Sequence, residues 1–70
     1  MKDYYKNTIK KGDILLEMKH DSSFIKWEVI DFGIEPSSRK NICVLKNIGT
    51  NYIVCCYQSE LYLFRKVMGN

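Results

Sequence analysis

Phe24 to Phe32 reads FIKWEVIDF, and this stretch decides the fold. Ile25, Trp27 and Val29 fall on one side of an extended chain. Phe24, Lys26, Glu28, Ile30 and Phe32 fall on the other, where charge alternates with aromatic or aliphatic bulk. Successive side chains of a strand point to opposite faces, so both faces of this one are partly covered. A long strand of that kind suits a strongly bent element that contributes to two sheets of a small barrel.

Working upstream, DILLEMK (Asp13 to Lys19) places Ile14, Leu16 and Met18 on one face and Asp13, Leu15, Glu17 and Lys19 on the other, the pattern of a half-buried strand. Gly12 before it and His20, Asp21, Ser22 and Ser23 after it supply turn chemistry. Working downstream, GIEPSSRKN (Gly33 to Asn41) holds the only proline and repeats with neither a strand nor a helix period, so it reads as a loop. Ile42 to Lys46 and Asn51 to Gln58 are apolar runs separated by Asn47, Ile48, Gly49 and Thr50, a hairpin signal. A two-residue turn would force β-branched Ile48 to positive φ. The expectation is therefore a three-residue loop with Gly49 left-handed and closing a bulge. Ser59 is expected to cap a single helical turn within residues 59–62, ahead of a closing strand from Leu63 to Val67.

The predicted architecture is mostly β: a small five-stranded antiparallel barrel over residues 11–67, with an N-terminal arm over 1–10 and a tail over 68–70. Composition agrees. The chain of 70 residues contains no alanine, the strongest helix former, and is rich in the β-branched and aromatic residues that suit a pleated surface. A domain this short buries only about 60% of the surface its unfolded chain exposes, so a partner would stabilise it. The net charge of +3 comes from 11 basic and 8 acidic residues spread along the chain, which makes attraction to polyanions modest. No run of 18 apolar residues is present, and Met1 to Lys11 is too charged for a signal-peptide core, which points to the cytoplasm.

The Gly12–Asp13 start, the long strand bearing Trp27, Glu28 and Val29, the loop, the hairpin, the single helical turn at Ser59 to Leu61 and the closing strand together resemble the SH3-like barrels. More loosely, the chain resembles small proteins of that type from phages and mobile elements. The likeness covers roughly Lys11 to Val67 and is one of strand order. It implies the barrel, and it implies no site residue, because such barrels host peptide, methyl-lysine and nucleic-acid binding as well as purely structural roles.

Catalytic and metal chemistry find little raw material. Cys43, Cys55 and Cys56 lack C-x-x-C spacing and His20 is the only histidine, a poor set for zinc. With the expected loop, Cys43 is one diagonal step from its nearest cross-strand cysteine, about 7–8 Å, beyond disulfide reach. Free thiols in a reducing compartment follow. Nothing brings His20 to the cysteines, the carboxylates sit at ordinary strand and turn positions, and the four glycines stand alone, so neither catalytic residues nor a cofactor are expected.

Candidate contacts remain in the tyrosines and basic pairs. Tyr4, Tyr5, Lys10, Lys11, Arg39, Lys40, Tyr62 and Arg65 could anchor a protein interface or stack on bases and pair with phosphates. The arm with Tyr4 and Tyr5 either packs across the barrel or serves a partner. The favoured expectation is a non-enzymatic protein-binding module whose partner is another protein or a second copy of the chain, in its specific form a phage or mobile-element inhibitor of a host or defence complex. A nucleic-acid-binding barrel is the alternative, and convergence of the basic residues on one face would favour it. No membrane partner is expected.

Overall fold

The computed structural model describes residues 1–2 and 6–67, so Tyr4 and Tyr5 of the expected contact set and the tail 68–70 lie outside the described residues. Five antiparallel strands form one sheet: β1 (Ile14–Met18), β2 (Phe24–Ile34), β3 (Asn41–Asn47), β4 (Ile53–Tyr57) and β5 (Phe64–Lys66), in the order β4-β3-β2-β1-β5. A short 3-10 helix, η1 (Gln58–Leu63), joins β4 to β5. Among the described residues no ladder joins β4 to β5, so these two strands are the edges of an open sheet.

β2 is the spine. It pairs with β1 through Leu15↔Trp27 and Glu17↔Ile25, and with β3 through Val29↔Leu45 and Asp31↔Val44. The step from Val29 to Asp31 leaves Ile30 without a partner, a bulge that bends the strand and increases its twist. The bend gives the sheet an inner face, and on it lie Leu15, Trp27, Val29, Cys43 and Leu45. Leu61 of η1 and Ile9 of the arm cover that face, with Phe64 beside them. The described part of the arm therefore packs on the core, tied by the Lys2↔Thr8 bridge and an Ile9 N–H donated to the Met1 carbonyl at 2.9 Å.

Gly12 turns the arm into β1. Its φ of +87° is left-handed, which only glycine adopts without a steric penalty, and Asp13 N–H donates to the Lys10 carbonyl to close the turn at 3.1 Å.

Several local expectations are corrected. β2 runs two residues beyond Phe32, because Gly33 and Ile34 continue the ladder against Ile42 and Asn41, which shortens the loop to 35–40. In β1 the core side is the face of Leu15, not that of Ile14, Leu16 and Met18, since Leu15 is fully buried opposite Trp27. The hairpin loop holds four residues, Ile48 to Asn51, between Asn47 and Tyr52, whose N–H and C=O meet at 2.8 Å. Asn51 (φ +65°), rather than Gly49, takes the left-handed position, while Asn47 Oδ1 accepts from Gly49 N–H at 2.9 Å and Thr50 N–H at 3.2 Å. Asparagine tolerates that conformation and its side chain substitutes for backbone partners, so glycine is not needed there. The helix is capped at Tyr57, not Ser59, and Glu60 accepts the Tyr57 N–H at 2.9 Å.

Candidate protein-binding edge

The two edges of the sheet differ in length and charge. β5 has three residues and carries Arg65 and Lys66, features that blunt an edge against unwanted pairing. β4 has five residues, reads IVCCY, and carries no charge. Ile53 is 55% exposed, Val54 39% and the preceding Tyr52 72%, and Cys55 is exposed as well. Behind β4 on the outer face, Lys46 is neutralised by Glu28 across the β2–β3 ladder at 3.4 Å, so no unpaired cation from β3 guards this edge.

The hydrogen-bond phase of β4 follows from the hairpin. Because Asn47 pairs with Tyr52, alternation makes Leu45↔Val54 and Cys43↔Cys56 hydrogen-bonded pairs, and turns the backbone groups of Ile53, Cys55 and Tyr57 away from β3. Glu60 takes the outward Tyr57 N–H. The N–H and C=O groups of Ile53 and Cys55 are left facing outward, bounded on one side by left-handed Asn51 and on the other by the Glu60 clasp.

The β2–β3 loop and the start of η1 form a second feature, an open depression of about 670 Å³ lined by Arg39, Lys40, Asn41, Tyr57, Gln58 and Ser59. Tyr57 donates its hydroxyl to Glu35 at 3.0 Å, Lys40 Nζ lies 5.1 Å from the centre of the Tyr57 ring, and Asn41 donates to Gln58 at 2.9 Å. The Ser38 hydroxyl first and the Tyr57 hydroxyl second hold Glu35 below the usual carboxylate range, and Glu35 in turn pushes the Tyr57 phenol up. A carboxylate stabilised in its charged form is a weak base and a phenol stabilised in its neutral form is a weak acid. The cluster acts as a clasp between the β2–β3 loop and β4.

The other expected contacts fall in separate places. Lys11 pairs with Asp31 at 3.1 Å, and Lys66 pairs with Asp13 at 3.3 Å, close to the turn that holds Lys10. Arg39 and Lys40 sit in the β2–β3 loop past Ile34, the end of β2, which lies roughly 10 Å along the strand from Asp31, the partner of Lys11, at about 3.3 Å per residue. Arg65 is half-buried opposite Leu16, and Tyr62 projects from η1 at 62% exposed. The structure thus brings Arg39 and Lys40 together with Tyr57 and separates them from Lys10, Lys11 and Arg65.

The cysteines are placed differently from expectation. Cys43 lies directly opposite Cys56, not on a diagonal, because the four-residue loop shifts the register, and both sulfurs face the core. The Cys56 thiol, pushed up by its hydrogen bond to Cys43 and by burial, stays protonated. His20 stands in the β1–β2 turn, where Glu17, Met18, Lys19 and Asp21 line a shallow depression with it and no cysteine does. No helix among the described residues is long and apolar enough to cross a membrane.

Comparison with protein-family models, curated proteins and solved structures gave no match for the chain.

Proposed function

We propose that the chain is a non-enzymatic protein-binding module that takes its partner by strand addition along β4. The observation that carries this reading is an edge strand that is uncharged, exposed on both faces and furnished with outward backbone donors and acceptors. Proteins normally protect such an edge with charge, proline or a covering segment, and a partner strand completes its ladder by main-chain hydrogen bonds while neighbouring side chains give selectivity. The strand order, which resembles that of SH3-like barrels, is compatible with this role without specifying it. Inhibition of a host or defence complex by a phage or mobile-element product, in a reducing cytoplasm, is the biological setting we attach to it.

Nucleic acid fits less well, because the basic residues are divided between two regions and Lys11, Lys46 and Lys66 already face carboxylates. The test is capture of a protein partner at about 0.5 M salt, where screening removes most surface electrostatics. Capture should be lost in Ile53→Lys and Cys55→Lys while the fold, read by circular dichroism, is kept. Capture that both substitutions leave intact would move the interface elsewhere. Retention of nucleic acid that falls steeply with salt would replace the reading altogether.

A further inference from the structure

We infer that the occupant of the β4 edge is a second copy of this chain, paired antiparallel about a two-fold axis at Val54. The inference rests on the edge-binding reading and adds the partner and its register. A symmetric interface requires a surface complementary to itself, and the open segment of β4 meets that requirement in its backbone and its charge.

The available backbone groups belong to Ile53 and Cys55, two residues placed symmetrically about Val54. An axis at Val54 sets Ile53 of one copy opposite Cys55 of the other. Each outward N–H then meets an outward C=O, giving four hydrogen bonds with none of these groups left over. An axis at Cys55 would instead set the Ile53 carbonyl against a Tyr57 N–H already donated to Glu60. The clasp at Tyr57 and the left-handed Asn51 thus select one register. In that register Val54 meets its counterpart at the close, non-hydrogen-bonded spacing and Tyr52 lies opposite Cys56. Nothing from residue 52 to residue 56 is charged, so a net +3 chain meets itself here without like-charge contact. The other edge offers no such self-match: β5 is three residues long, and an axis at its centre would set Arg65 opposite its own copy.

Light scattering across a concentration series should move the mass from 8.3 kDa toward twice that value, and the Ile53 and Cys55 amides should gain exchange protection over the same range. Val54→Lys and Cys55→Lys, both at exposed positions, should each hold the protein monomeric. A short bismaleimide should join the chains through Cys55, since the two copies of that residue sit on a diagonal of about 7–8 Å. Cys55→Ser should still dimerise but fail to cross-link. A monomer at all concentrations with unprotected Ile53 and Cys55 amides overturns the inference, as does a dimer that survives both lysine substitutions. If the wild type is monomeric yet captures a different protein that Cys55→Lys loses, self-pairing falls while the edge reading stands.

Discussion

Trp27 donates its indole N–H to Glu17 Oε1 at 3.0 Å on the core side of the sheet. The register that pairs Leu15 with Trp27 and Glu17 with Ile25 carries a carboxylate to the inner face beside the largest aromatic ring of the core. The bond lets both polar groups sit there without an unpaired donor, since a buried N–H left without a partner costs about 1–3 kcal/mol.

Trp27→Phe is therefore expected to lower stability by more than the lost ring volume alone, because it leaves Glu17 at the core margin without its donor. The loss should be about 2–4 kcal/mol in urea unfolding, combining a lost bond to a charged group with a cavity. Glu17→Gln keeps an acceptor and should cost about 1 kcal/mol or less. A loss of no more than about 1 kcal/mol in Trp27→Phe would show that the indole bond contributes little.

Backbone conformation in the hairpin makes a second prediction. Asn51 is left-handed and donates its N–H to the Asn47 carbonyl at 2.7 Å. Asn51→Val should destabilise by about 1–2 kcal/mol, the cost of that conformation for an ordinary side chain, and Asn51→Gly should be nearly neutral. At Gly49 an added Cβ meets Asn47 Oδ1 at 3.4 Å, an ordinary contact, so Gly49→Ala should stay within about 0.5 kcal/mol of wild type. The reverse order, with Gly49→Ala the more damaging, would mean that the loop is built as the three-residue turn the sequence suggests.

That loop shows where the sequence stopped being legible. Period-2 alternation located β1, β2 and β5, because local side-chain direction depends only on the strand itself, while the two apolar runs on either side of Asn47 to Thr50 located β3 and β4. Register depends on turn geometry, and one residue more or fewer in the loop moved Cys43 from a diagonal to a direct position against Cys56. Likewise the face of β1 that meets the core was set by its partner Trp27 and not by its own count of apolar residues. The exposed edge was hidden for a related reason: IVCCY reads as core sequence, and only the strand order reveals that it is an edge. Its exposed apolar residues could have been suspected from Tyr52 and Ile53 beside a turn, whereas the role of Glu60 in capping Tyr57 required the three-dimensional path of η1.

The Glu35–Tyr57 clasp makes a prediction about titration. Glu35 is held below the ordinary carboxylate range by the Ser38 and Tyr57 hydroxyls. A depressed carboxylate contributes stability that is present above its unfolded-state pKa and lost as pH falls through the folded value. Tyr57 has the opposite linkage. Its raised phenol contributes stability fully present below the ordinary tyrosine pKa, and this is lost as pH climbs from there through the folded value. By NMR, Glu35 should titrate below ordinary glutamates, and Tyr57→Phe should raise its midpoint without returning it fully to normal, because Ser38 remains. An unchanged Glu35 midpoint in Tyr57→Phe would show that the phenol does not reach the carboxylate in solution.

The facing thiols of Cys43 and Cys56 make the last prediction. Directly opposed residues of a hydrogen-bonded antiparallel pair have Cα atoms about 5.5 Å apart, inside the range of about 4.4–6.8 Å that a disulfide spans. The thiols are free, but Cys43 is fully buried and Cys56 half-buried, which limits the access of an oxidant to them. Diamide should nevertheless join them on prolonged exposure: each sulfur gives up its proton, and the azo compound takes both protons and both electrons as it becomes the hydrazine. The product should form in Cys55→Ser, be absent in Cys56→Ser, and be stabilised against urea by at most about 3 kcal/mol, the value for closing a loop of about 15 residues. Peptide mapping that found Cys43 joined to Cys55 within one chain would contradict the register, because neighbouring residues of a strand point to opposite faces and Cys56 is the one that faces Cys43.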